Sequence, residues 1–240
     1  MTTSFRGLRL RGLPLAWREM RFRNDRTAVL AALLLATAFC VALVAARAVY
    51  VGWTYGFLVW NLLLAWVPFA LAYAVYHRSR DRLAPGTMLL SALWLLFFPN
   101  APYIVTDLLH LQDNSFAGHW YDVLIFSACA WTGMLLGLTS LYLMQSVVRR
   151  HAGATASWVA VLAAMTFASF GIYLGRFVRW NSWDLFSQPS ALLHNAWAIL
   201  ADPTPKTVGY TVVFTGFLTC TYLVLVSFAR LASGSGSRLS

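Results

Sequence analysis

The chain has 240 residues, 60% of them hydrophobic and only 11% charged, with a mean hydropathy of +0.64. Soluble domains run nearer a quarter charged, and one soluble core of this size has no room for so much apolar surface, so composition excludes an ordinary soluble domain and points to lipid. The net charge of +10 does not read as a nucleic-acid signature either, because the arginines gather at the N-terminus and at the ends of apolar runs, as membrane flanks do.

The first 26 residues carry Arg6, Arg9, Arg11, Arg18, Arg21, Arg23 and Arg26. This stretch is long for the basic region of a signal peptide, and no small-residue cleavage site follows it. It is expected to be a retained cytoplasmic segment, either an interfacial helix around Pro14 or a charged arm. Six apolar runs follow: Thr27–Ala46, Trp53–Tyr76, Gly86–Val105, Tyr121–Val148, Ser157–Phe177 and Val208–Leu231. About 20 apolar residues cross the roughly 30 Å hydrocarbon layer. The chain is therefore predicted to be an all-α polytopic membrane protein with about six transmembrane helices. Residues 27–231 form one transmembrane domain, and residues 232–240 a flexible Gly/Ser tail.

The third run differs from the rest. Its uninterrupted part ends in Phe98-Pro99-Asn100-Ala101-Pro102, where each proline lacks an N–H and pushes its predecessor away from helical geometry. The helix is expected to break at Pro99 near membrane depth. Irregular backbone is tolerated there only where protein or a water-filled cavity covers it. Asn61 and Pro68 in the second run suggest an internal hydrogen bond and a kink.

Orientation follows from the basic residues. With both termini cytoplasmic, 14 of the 18 basic residues fall inside, and only Arg47, Arg176, Arg179 and Lys206 fall outside. The expected location is the inner membrane of a bacterium. Outer-face cations run against the trend, so something is expected to compensate them.

Both longer connections, roughly Pro99–Trp120 and Arg176–Thr207, then lie on the outer face, and they hold most of the unusual polar residues. A short helix over Tyr103–Gln112 would place Tyr103, Asp107, His110 and Asn114 on one stripe. Asp107 and His110, at i and i+3, are candidate catalytic residues as an acid–base pair, or else the wet side of an interfacial helix. Asp122 opens the fourth run, where a helix N-terminus favours it. His119 and Asp122 repeat the imidazole–carboxylate spacing, but nothing brings the two pairs together, and no metal or cofactor is expected. Arg176 and Arg179 share a helical face and would grip a phosphate or carboxylate, or pair with Asp107, Asp122 or Asp184. Asn100, Tyr103, Asp122, Arg176, Arg179 and Asp184 are accordingly the candidate binding residues, with the bilayer and an anionic lipid headgroup as candidate partners and no nucleic acid. Asn181 and Ser182 read as a cap for a short helix stopped by Pro189, and Leu193, Ala196, Trp197 and Leu200 as one face of another.

Gly133-xxx-Gly137 and Gly171-xxx-Gly175 permit close helix approach. Cys40, Cys129 and Cys220 sit in apolar runs without metal or redox spacing. No phosphate loop, His-Glu-x-x-His or serine elbow is present.

Three stretches, Phe98-Pro-Asn-Ala-Pro-Tyr-Ile-Val-Thr-Asp-Leu-Leu-His-Leu111, Trp120-Tyr-Asp122 and Leu174-Gly-Arg-Phe-Val-Arg-Trp-Asn-Ser-Trp-Asp184, resemble the bacterial membrane family called domain of unknown function 1361. The resemblance runs from about the second span to the last. It implies a multi-spanning bacterial membrane protein and brings no activity with it. The residues themselves leave three readings open: a headgroup-binding or headgroup-processing protein, a structural or partner-binding subunit, and, third, a transporter.

Overall fold

The computed structural model describes residues 15–79, 84–111 and 119–235. The basic stretch before Leu15, Arg80 and Arg82, Asn114 of the polar stripe, the side chain of His119 and the end of the Gly/Ser tail lie outside the described part. The described chain is all-α, with no strand.

Two long apolar helices begin the fold, α1 (Leu15–Val51) and α2 (Gly56–Arg78). The third segment is composite: α3 (Pro85–Phe97), α4 (Asn100–Tyr103) and a 3₁₀ turn (Ile104–His110). Next comes α5 (His119–Tyr173), which no membrane could hold as one rod, since 55 residues at about 1.5 Å each exceed the bilayer more than twofold. It is broken at Gly153, whose φ of 86° and ψ of 177° are non-helical, so α5 is two arms joined by a turn. A π-helical turn (Leu174–Val178) ends the second arm. The short helices α6 (Asp184–Ser187) and α7 (Pro189–Ala201) lead to the last long helix, α8 (Pro205–Ser235).

Five helical stretches are long and apolar enough to cross a membrane, and the division at Gly153 turns the fourth of them, Trp120–Val178, into two. That accounts for the six predicted runs. The arms of α5 lie side by side. Met134, Leu138, Leu141 and Met144 of one share a buried cluster with Val161, Ala164, Met165 and Ala168 of the other, joined by Leu218 and Tyr222 of α8 and by Trp94 of α3. A second cluster gathers Cys40 and Val44 of α1, Leu58, Leu62 and Ala65 of α2, and Ile125, Phe126 and Cys129 of α5. Most remaining large apolar side chains on the helices are exposed, as lipid-facing side chains are: Leu35 at 73% and Val213 at 73% are examples.

The predicted break at Pro99 is present but mild: α3 ends at Phe97 and α4 begins at Asn100. Phe98, Pro99 and Ile104 all keep right-handed helical φ and ψ, and helical turns continue from there through His110. What the prolines do is thin the hydrogen-bond ladder. The Ala101 N–H donates to the Phe98 carbonyl at 3.2 Å, a tightened bond, and the Tyr103 N–H returns to Pro99 at 3.0 Å. Two carbonyls left over find side chains: Asn100 Nδ2 donates to Phe97 O at 3.0 Å, and Ser182 Oγ to Leu96 O at 3.1 Å. Buried backbone must be satisfied at this depth, and the chain does so while keeping right-handed backbone across the interruption.

Both glycine pairs serve this segment. A Cβ on Gly133 would lie 2.7 Å from Ile104 Cδ1 and 2.9 Å from the Ala101 carbonyl, and one on Gly171 would lie 2.9 Å from Pro99 Cγ. Gly137 meets Ala101 and Pro102, and Gly175 meets the ring of Tyr103. The two arms of α5 thus clasp residues 98–104 between them, at places where no side chain stands in the way.

Candidate functional site

The composite third segment, held by those glycines, carries Asp107 to a fixed place. Asp107 is 1% exposed, and its carboxylate lies where the 3₁₀ turn passes α2 and the end of α5. A buried carboxylate is costly unless paired and hydrogen-bonded. Asn61 Nδ2 of α2 donates to Oδ2 at 2.7 Å, and Arg176 Nη1 stands 3.5 Å from Oδ1. Arg176 Nη2 also donates to His110 Nδ1 at 3.2 Å, which requires that nitrogen to be the unprotonated one and leaves the ring proton on Nε2. His110 Nδ1 also approaches Asp107 Oδ1 to 3.9 Å. The 3₁₀ geometry creates this approach, since i and i+3 eclipse at three residues per turn.

Arg176 lies in the π turn, and the turn ends at Arg179, the one described non-glycine residue with positive φ (68°, ψ 33°). The N–H groups of Arg179 and Trp180 both return to the Leu174 carbonyl, the latter at 3.2 Å. The predicted regular helical face is therefore replaced by a widened turn and a left-handed stop. Arg176 points into the Asp107 network, whereas Arg179 is exposed.

These groups line a cavity of about 820 Å³. At its polar end stand Asn61, Asn100, Tyr103, Asp107, His110, Arg176 and Arg179, and Asn181 and Ser182 border it. Its other walls are apolar: Leu64 of α2, Leu96 of α3, Phe167 and Phe170 of α5, and Leu192, Leu193, Ala196 and Leu200 of α7. One carboxylate against two guanidiniums leaves the polar end with one positive charge. Volume and lining fall in the range of small-ligand sites.

Of the eight candidate residues, the structure brings six together: Asn100, Tyr103, Asp107, His110, Arg176 and Arg179. Asp122 is placed elsewhere, in a closed cluster that joins α1 to α5. Arg47 Nε meets its Oδ1 at 2.6 Å, and Tyr55 Oη donates to its Oδ2 at 2.8 Å. The guanidinium also lies over the Tyr55 ring at 3.7 Å. Burial, then the hydrogen bond to Asp122 and that carboxylate's charge, push the Tyr55 hydroxyl above its ordinary pKa. Asp184 also stays outside the cavity lining. Its carboxylate accepts from Asn181 N at 2.7 Å and bends the loop after Arg179. The capping reading is corrected with it: neither Asn181 nor Ser182 caps α6, and Ser182 instead accepts from Asn100 Nδ2 at 3.1 Å. Sequence reasoning assigned Asn61 only an internal bond. Its signal was a lone amide in an apolar run, one turn from the end that faces the Asp107 segment.

Residues 60–221 match the family described as "Protein of unknown function (DUF1361)". The chain belongs to that family. Every polar residue of the cavity falls inside the DUF1361 match, whereas Arg47 and Tyr55 of the second cluster precede it. No curated protein matches the chain, and no solved structure does.

Proposed function

We propose that the cavity is a binding site for an anionic headgroup on the outer face of a bacterial inner membrane, with both termini cytoplasmic. The orientation rests on the excess of arginine at the opposite end. One observation carries the ligand. Of the four cations assigned to the outer face, three are compensated: Arg47 by Asp122, Arg176 by Asp107, and Lys206 by the Phe177 ring at 4.0 Å. Arg179 lines the cavity with no side-chain partner among the described residues. A guanidinium beside apolar walls is a fork for phosphate or carboxylate.

In this reading Asp107 is a positioning residue. Its two oxygens are engaged by Asn61 and Arg176, so it fixes Arg176 and is not free to act as a base. His110, with its proton on Nε2, is a donor to the headgroup, as is the Tyr103 hydroxyl. A second reading has a definite basis in the same network: Asn61, Asp107, Arg176 and His110 form a continuous chain that braces α2, the 3₁₀ turn and the end of α5 whether or not a ligand binds.

Arg179→Gln separates the two. The protein in phosphatidylcholine nanodiscs, titrated with a fluorescent anionic phospholipid, is expected to lose about tenfold in affinity, the effect of one charge-assisted contact. Unchanged affinity with unchanged stability leaves only the bracing role.

A further inference from the structure

The cavity has an unusual wall. α7 contributes Leu192, Leu193, Ala196 and Leu200, yet none of its residues is buried, and apart from this lining it packs chiefly on α6. Leu193, Trp197 and Leu200 are 58%, 71% and 56% exposed. A soluble protein would not leave such a helix uncovered. α7 is tethered between the outer ends of two membrane-spanning stretches, Trp120–Val178 and Pro205–Leu231, so its surroundings are the headgroup level and the first acyl carbons. Proline at its first position and the Asp202-Pro203-Thr204-Pro205 turn at its end confine it there.

The rest of the apolar wall is Leu64, Leu96, Phe167 and Phe170, all on helices long and apolar enough to cross a membrane. The apolar part of the cavity therefore lies between transmembrane helices and a helix resting at the bilayer surface. Its polar part, ending at Arg179, is continuous with it. A headgroup at Arg179 would have this apolar slot beside it for its chain.

Resting on the headgroup reading above, we infer that the ligand is a membrane lipid with a phosphate-bearing headgroup, which enters sideways from the outer leaflet beneath α7. Phosphate is the shared chemistry of a lipid and a soluble phosphate ester. The apolar slot is what selects the lipid. Arg179 with His110 holds the phosphate, and one chain lies along Leu96, Phe167 and Ala196. Ala196 is the smallest side chain that α7 contributes to the cavity lining, so a larger one there intrudes on the slot.

The test sets Ala196→Trp beside Arg179→Gln, with two probes: fluorescent phosphatidic acid in phosphatidylcholine nanodiscs, and glycerol phosphate in solution. The full-length protein is expected to bind phosphatidic acid at least tenfold more tightly than glycerol phosphate. Ala196→Trp is expected to weaken the lipid about tenfold and leave glycerol phosphate unchanged, which also certifies that the variant is folded. If the indole disturbs the loop and both probes are lost, Ala196→Leu carries the same comparison. Glycerol phosphate binding as tightly as the lipid overturns the lipid assignment. Unchanged lipid binding in both Ala196 variants overturns the route while leaving the headgroup site standing. Arg179→Gln without effect on either probe overturns the headgroup site itself. A change of oligomeric state on substitution at Ala196 would show a second copy of the chain covering α7, and that also overturns the route.

Discussion

Gly133→Ala adds one methyl group where the third segment touches the first arm of α5. That Cβ would stand 2.7 Å from Ile104 Cδ1 and 2.9 Å from the Ala101 carbonyl oxygen, both closer than carbon and its neighbours tolerate. Ile104 is fully buried, so its methyl cannot swing away, and the carbonyl belongs to backbone. Overpacking of this kind costs about 1–3 kcal/mol. Replacing glycine by alanine inside a helix returns about 0.5–1 kcal/mol. The clash wins, for a net loss of about 1–2 kcal/mol. The control is Gly216→Ala in α8, where an added Cβ meets nothing within 4 Å and only the helical gain remains. The two substitutions are identical in chemistry and should move the unfolding midpoint in opposite directions, read by thermal denaturation of the purified protein in one detergent. Since residues 98–104 carry Asp107 and hence Arg176, Gly133→Ala should also weaken anionic-lipid binding, and Gly216→Ala should not. Equal stability of the two variants would refute the close approach on which the placement of Asp107 depends.

Three further outcomes follow from the same geometry. Arg176→Gln strands the buried Asp107 carboxylate with Asn61 alone; the 3.5 Å separation is long for an ion pair, so the expected cost is about 2–3 kcal/mol, toward the low end for a broken buried pair. Adding Asp107→Asn should recover much of it, and strictly additive losses in the double-mutant cycle would show that the two are not coupled. Arg179→Gly removes a side chain from a left-handed position that costs about 1 kcal/mol for any residue with a Cβ; stability should rise slightly as lipid binding falls, and a fall in both would mean that the Arg179 side chain holds the fold. Tyr55 binds its proton more tightly folded than unfolded, so its contribution is complete below its ordinary value of 10.0 and is lost as pH climbs from there through the raised folded value. Tyr55→Phe should flatten that alkaline decline in thermal stability, and an unchanged slope would remove Tyr55 as its source.

The membrane helices were legible in the sequence because lipid imposes a length and forbids charge, and both constraints act on consecutive residues. The first polar connection was placed less well, since Asn100–His110 belong to the spanning-length stretch Pro85–His110 and not to a loop after it. How mild the interruption at Phe98–Pro102 would be was not legible. Proline rules describe what a chain does alone, and here Gly133, Gly137 and Gly171 let two neighbouring arms enclose the segment while Asn100 and Ser182 bond the Phe97 and Leu96 carbonyls at the interruption. Nor could spacing assign partners. Asp107, Asp122 and Asp184 were interchangeable candidates for the arginines, and the choice among them is made by which helices touch. Arg47 reaches Asp122 because α1 packs on α5, so one carboxylate named as a binding residue is consumed in holding helices together.

That assignment sharpens the electrostatic argument. In the proposed orientation an outer-face cation opposes the charge bias, and burying one unpaired is costly, so the buried ones should come with partners. Arg47 and Arg176 are held by buried carboxylates, and Lys206 lies over an aromatic face. Arg179 has none of these among the described residues, and its backbone is held in a conformation that glycine would adopt more cheaply. A glycine there would satisfy the turn, and a lysine or glutamine would satisfy solvent. Arginine at a left-handed stop, beside a cavity with a long apolar wall, is what the proposed lipid phosphate would account for. Without such an anion, the left-handed backbone that carries the Arg179 side chain would be a cost without return.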